Sequence, residues 1–177
     1  MLHRLRNIRG VARGFGYCAL AIAALWAAPS AFAEISVAVK PEAQPYDEKR
    51  DAAADVDAAL SRARAQNKQT IVVFGANWCH DSKSLAGRFA TPRFQALLGA
   101  HYELVYVDVG KPQTGAGRNL EIARRLGFNK IKGTPTVALI SADGVLLNRR
   151  DAPRWRNAAS RSDDMIFDYF SKQAKTK

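Results

Sequence analysis

The spacing of apolar residues changes several times along the chain, and each change marks an element. Residues 71–76 (IVVFGA) are an unbroken apolar run with β-branched side chains, the pattern of a strand covered on both faces. Ahead of it, Ala54, Val56, Ala59, Leu60 and Ala63 recur at a helical period behind Asp47, a capping residue, so 47–69 is read as a helix. Behind it, polar residues from Asp81 to Ser84 give way to Leu85, and a helix is expected from Cys79 to about Phe89. Thr91-Pro92 restarts a helix, with threonine as cap and proline at the first helical position, ending near Gly99. Residues 102–109 form the next strand through Leu104, Tyr106 and Val107.

Residues 110–117 (GKPQTGAG) read as a flexible loop, and 119–126 as a short helix stopped by Gly127. Strands at 136–140 and 145–148 are expected to pair as a hairpin across the Asp143-Gly144 turn. Ser162 caps a last helix whose Met165, Ile166, Phe167, Tyr169 and Phe170 give it an apolar face. At the other end, 34–46 alternates apolar and polar before two prolines and is read as an edge strand with an extended lead-in. The order β, α, β, α, β, α, β, β, α predicts an α/β fold, a central mixed β-sheet flanked by helices on both faces.

The first 33 residues follow a different logic. Arg4, Arg6, Arg9 and Arg13 come without an acid, followed by an apolar run over 15–28, then Pro29 and Ala31-Phe32-Ala33. A basic start, an apolar centre and a small-x-small site make a secretory signal peptide, cleaved after Ala33, so the protein is expected in the periplasm or outside the cell. The competing reading is an uncleaved membrane anchor, since 15–32 nears the shortest span that crosses a bilayer; Pro29 and the cleavage site argue against it. After cleavage no stable membrane insertion is expected, and the folded domain is expected over 47–177.

The full chain has a formal net charge of +11; loss of those four arginines from 27 basic residues leaves 23 against 16 acids, a net +7. In an exported protein such an excess suits acidic protein surfaces or anionic lipid more than nucleic acid, although a merely solvated basic surface explains it as well. Cleavage also removes Cys18, and Cys79 is left as the one cysteine. An unpaired cysteine in an oxidising compartment points to intermolecular pairing or a reactive thiol. Its place at the hand-over from strand to helix favours a sulfur anion, because the first N–H groups of a helix are unpaired and its dipole is positive there. The polar neighbours Asn77, His80, Asp81 and Ser82 suggest that the thiol is at least partly exposed; the alternative is an inert buried cysteine.

Trp78-Cys79 after an apolar strand, Gly133-Thr134-Pro135-Thr136 farther on, and the Asp143-Gly144 turn together resemble the thioredoxin-like family, in particular its secreted bacterial members. The resemblance spans Asp47 to Gln173 and implies the thioredoxin fold, with Cys79 as nucleophile in thiol–disulfide exchange. It implies that Pro135 is a cis-proline facing Cys79, and that Thr134 offers its backbone to an extended client, with Trp78 shaping the same groove. Two departures matter. Where the family carries Cys-x-x-Cys, this chain reads Cys79-His80-Asp81-Ser82, so no second sulfur can release a mixed disulfide. Val73 stands where many members bury an acid that serves that second sulfur.

His80, when protonated, would stabilise a Cys79 thiolate, and Asp81 would oppose it. The expected partners are client thiols or disulfides, with a small thiol or a membrane-bound reductant as second reactant. No metal, flavin or nucleotide is implied: Cys79, His80 and Asp81 diverge at a helix start, and His101 is the only other histidine after residue 33. Two further readings stand beside redox exchange: a thioredoxin-fold module that binds peptides without covalent chemistry, and peroxide reduction through a sulfenic acid. Nothing around Cys79 resembles a peroxidase motif.

Overall fold

In the computed structural model, residues 40–175 are described; the expected signal segment over 1–33 and the proposed strand residues 34–39 lie outside them. Residues 40–46 form no strand but an extended lead-in. The elements that follow are α1 (Ala52–Ala65), β1 (Gln69–Gly75), α2 (His80–Phe89), α3 (Pro92–His101), β2 (Tyr102–Asp108), β3 (Gly110–Lys111), β4 (Ala116–Gly117), α4 (Leu120–Arg125), β5 (Thr136–Ile140) and α5 (Asp163–Gln173). Asp51 caps α1 by accepting from Ala54 N, four residues later than the cap expected at Asp47.

The main sheet has the order β2-β1-β5. β1 is parallel to β2 (Ile71 opposite Leu104) and antiparallel to β5 (Phe74 opposite Thr136). Every residue of β1 is buried, and its side chains alternate between two cores. Val72 and Phe74 join Val107 and Ala138 under α1 and α4. Ile71 and Val73 join Val137 and Leu139 under α2, α3 and α5. The unbroken apolar run at 71–76 is therefore the signature of a central strand that faces no solvent on either side.

Three stretches differ from expectation. The hairpin partner at 145–148 is reduced to a single bridge between Ile140 and Leu146. The Asn148 side chain takes over the next rung: its Oδ1 accepts from Leu139 N at 2.8 Å and its Nδ2 donates to Val137 O at 2.9 Å. The loop at 110–117 is an ordered small hairpin, β3 with β4, bent through left-handed Gly110 and Gly115. A Cβ on Gly110 would lie 2.6 Å from Ala116 O, so the turn also needs the missing side chain.

The third is a 3-10 stretch, Ala152–Ser160, kinked at Asn157, that sequence periodicity did not reveal. It sinks Trp155 completely, stacked on Phe170 at 5.1 Å between ring centroids and edge-on to Tyr169 at 5.0 Å. Beside it Arg88 is fully buried; its guanidinium donates to Asp163 Oδ1 (2.7 Å), to Ser84 O and to Arg161 O (both 3.2 Å), so α2, α5 and the 3-10 stretch are tied at one point.

Trp155→Ala is expected to cost about 3–5 kcal/mol in urea unfolding, as for other fully buried large aromatics. Trp78→Ala, at a half-exposed position, is expected to cost under about 1 kcal/mol. Equal losses at the two tryptophans would mean that the 3-10 stretch is not part of the core.

Candidate functional site

Because β1 and β5 run antiparallel side by side, the end of β1 and the start of β5 lie at the same edge of the sheet. The connection Ala76-Asn77-Trp78 leaves β1 there and delivers Cys79 to the N-cap of α2, with extended backbone (φ −87°, ψ 118°). Its carbonyl accepts the first helical bond from Lys83 N at 3.0 Å, while its sulfur makes no capping bond. The free N–H groups of that first turn are donors a sulfur anion at the cap could use. From the other strand comes the turn Gly133-Thr134-Pro135, with a cis Thr134–Pro135 peptide, pinned by Thr136 Oγ1 donating to Gly133 O at 2.8 Å. The two meet: the Cys79 thiol donates to Thr134 O at 3.3 Å.

Cys79 is more covered than its polar neighbours suggested, with 8 % of its surface exposed. The reason is that the Gly133–Pro135 turn lies over the sulfur. Ser82 is also no surface residue: it is fully buried, because position three of α2 turns inward toward Gly75. Thr134 is 5 % exposed. Trp78 is 53 % exposed, and its indole Nε1 donates to Gly110 O at 2.9 Å, which ties the β3–β4 hairpin to the cysteine loop.

His80 turns outward. Its Nδ1 lies 2.7 Å from Glu42 Oε1, and the other oxygen of Glu42 takes Lys83 Nζ at 2.9 Å. Among the described residues no hydrogen bond joins His80 to Cys79. Asp81 is likewise engaged elsewhere, accepting from Ala159 N at 2.8 Å and anchoring α2 to the 3-10 stretch. The structure thus brings Cys79, Ser82, Thr134 and Pro135 together, keeps Trp78 at the rim, and turns His80 aside.

Three residues complete the surroundings, and two of them, Tyr46 and Glu42, the sequence did not single out. Asn77 clamps the lead-in, accepting from Tyr46 N (3.2 Å) and donating to Tyr46 O (2.6 Å). Tyr46 is buried against the Ser82 side chain, and its ring meets Tyr106 edge-on at 5.3 Å. Glu42 holds the His80 ring as above. All act across more than 30 residues, so no local motif announces them; only the polar Asn77 inside an apolar stretch was a hint. A cleft of about 610 Å³ opens beside this group, lined by Tyr46, Asn77, Trp78, Asp108 and Arg118 among others. It runs along Trp78 and does not include Cys79 or Thr134 in its walls.

Among the described residues no three His, Cys, Asp or Glu side chains lie together as metal ligands would, and no helix is long and apolar enough to cross a membrane.

The sequence profile of a thioredoxin-like family matches residues 51–142, over half of the chain. This chain belongs to the thioredoxin-like family. Among solved structures, a disulphide isomerase from Xylella fastidiosa Temecula1 is similar at 34 % identity and a TM-score of 0.68, over 75 % of this chain and 98 % of that one. A thioredoxin from Thermus thermophilus is similar at 20 % identity and a TM-score of 0.49, over 67 % of this chain and 83 % of that one. No curated protein matches significantly. The thioredoxin fold expected from the sequence is the fold observed.

The hydrogen bond from Lys83, with a further one from His80, holds the Glu42 carboxyl below its ordinary value of 4.5. A carboxyl lowered in this way keeps its contacts in full above the ordinary value and loses them as the pH falls through its folded value. NMR titration of the side-chain carboxyl is expected to place the Glu42 midpoint below 4.5, and Lys83→Ala to raise it. An ordinary midpoint in the parent protein would mean that Glu42 does not hold His80 and Lys83 in solution.

Proposed function

We propose that this thioredoxin-like protein is an exported monothiol exchanger, in which Cys79 engages disulfides of client polypeptides in an isomerase-like or client-trapping role. The observation that carries the reading is the meeting of the one cysteine thiol among the described residues, at a helix N-cap, with the carbonyl of Thr134, next to a cis-proline. The likeness to a disulphide isomerase at 34 % identity supports the same chemistry. Export rests on the sequence of residues 1–33 alone.

The step is a displacement at sulfur. The Cys79 thiolate attacks one sulfur of a client disulfide, a new S–S bond forms to Cys79, and the other client sulfur leaves as a thiolate and takes a proton from water. The Thr134 carbonyl, which in the resting site accepts the thiol hydrogen, is then free to accept a backbone N–H of the client, which lies as an added strand. Ser82 has no sulfur to attack the mixed disulfide, so a second client thiol or a small external thiol releases the product. If a client thiol does so, the net result is a rearranged disulfide with no net oxidation.

The burial of Cys79 at 8 % exposure favours one competing reading, a module that keeps the groove for binding and uses no covalent step. The two separate in one experiment, insulin reduction driven by dithiothreitol. Cys79→Ser is expected to abolish any acceleration. Ser82→Cys is expected to form an internal disulfide with Cys79, seen as a loss of two hydrogens by mass, and to raise reductase turnover at least about tenfold through intramolecular release. Parent and Cys79→Ser proteins with superimposable curves, and a Ser82→Cys protein that stays inactive, would leave the binding module as the function.

A further inference from the structure

We propose that Tyr46 is a positioning residue for Cys79, its phenol donating to the Ser82 hydroxyl, which in turn directs its own hydrogen at the Cys79 thiolate. This rests on the reading of Cys79 as a nucleophile and adds to it a group far away in the chain.

Two oxygens beside the cysteine are anomalous. The hydroxyls of Tyr46 and Ser82 are both sealed from solvent, and neither completes a hydrogen bond of good geometry in the resting site. They share the space left by a glycine: a Cβ on Gly75 would lie 2.5 Å from the Tyr46 hydroxyl and 2.7 Å from that of Ser82. Buried hydroxyls without partners are costly, and the cost disappears in any state of the site that uses them.

Ionised Cys79 is such a state. As a thiol, Cys79 gives its hydrogen to Thr134 O. Once that proton is lost, the sulfur can only accept, and it faces a carbonyl oxygen that can only accept as well. Donors must come from elsewhere. Ser82 is three residues along α2 from Cys79, hence on the same helical face. Its hydroxyl can donate to the sulfur while accepting from Tyr46, and each bond polarises the next.

Tyr46 suits the far end of such a relay. Burial raises its pKa well above 10, so at neutral pH it is a donor and never a phenolate. Tyr106 and Asp108 of β2, together with Cys79 itself, push it in the same direction. Burial likewise keeps Tyr106 protonated. The ionisable neighbours of Ser82 on the first turn of α2 are engaged elsewhere: Asp81 by Ala159 N, and His80 and Lys83 by Glu42. The paired hydrogen bonds from Asn77 to the backbone of Tyr46 fix where the phenol stands. Ser82 would thus be a dipole aimed at the sulfur as well as the place of a missing thiol.

The test is the pH dependence of Cys79 alkylation by iodoacetamide in the purified protein. Tyr46→Phe keeps the ring and its packing on Tyr106 and deletes one oxygen. It is expected to move the midpoint of the profile up by about one pH unit, a roughly tenfold smaller thiolate fraction below the midpoint. Ser82→Ala is expected to move it at least as far, and the double variant no farther than Ser82→Ala alone, because Tyr46 acts through Ser82. Loss of packing alone would lower the melting temperature and leave the midpoint in place. A parent that alkylates normally with a superimposable Tyr46→Phe profile overturns the assignment of Tyr46 and leaves the nucleophile reading intact. If Tyr46→Phe does not fold, an unmoved midpoint in Ser82→Ala overturns the relay. A parent whose Cys79 resists alkylation at every pH overturns both.

Discussion

Strand β1 has neither a free face nor a free edge. Its two faces are buried in separate cores and its two edges are paired with β2 and β5. A strand enclosed on four sides cannot shift register without moving every side chain into the wrong core. Its end is therefore a fixed point, and the chain leaving it must deliver Cys79 to one place. The antiparallel neighbour β5 begins at that same place. That is how a thiol and a carbonyl 55 residues apart come within 3.3 Å. The site is a consequence of strand pairing before it is a matter of active-site residues.

What was legible in the sequence follows from the same constraint. Apolar runs report enclosure, so β1 and β5 could be read to within two residues and α2 to within one, whereas α1, expected over 47–69, spans only Ala52–Ala65. Punctuation was legible too: Thr91-Pro92 opens α3, and Ser162 caps α5 through Met165 N. The Gly-Thr-Pro turn could be placed opposite Cys79 only because the motif resembles a family; spacing alone does not join residues 79 and 134.

One group of differences comes from polar side chains put to use inside. Asn148 imitates a strand rung and so ends a ladder that alternation had predicted to continue. Ser82, read as a polar neighbour that would leave the thiol partly exposed, is fully buried, and Arg88 on the same helix is fully buried as well. Trp155 is fully buried in a 3-10 stretch that periodicity did not reveal. For Asn148 and Arg88 the hydrogen-bond partner that makes burial tolerable comes from another element, Val137 and Leu139 for Asn148 and Asp163 for Arg88, whereas the Ser82 hydroxyl has none among the described residues. A one-dimensional pattern contains the polar group without its partner, so it defaults to solvent.

Cys79 is the one cysteine among the described residues, and it is kept under cover. A thiol open to an oxidising solvent reacts with any small disulfide or peroxide that reaches it, and without a second thiol it has no internal way back. Enclosure beneath the Gly133–Pro135 turn leaves Cys79 with 8 % of its surface and restricts which partners can approach. On the function proposed above, a client strand that took over the Thr134 carbonyl would remove the acceptor that the thiol has among the described residues as it brought its own disulfide near. Binding and activation would then be coupled through one carbonyl oxygen: the contact proposed to recognise the client is the one that holds the thiol's hydrogen. A site with a resolving cysteine can correct a wrong encounter afterwards, whereas a site with serine there must select beforehand. On that proposal the covering of Cys79 and the oxygen of Ser82 would be complementary features of one monothiol site.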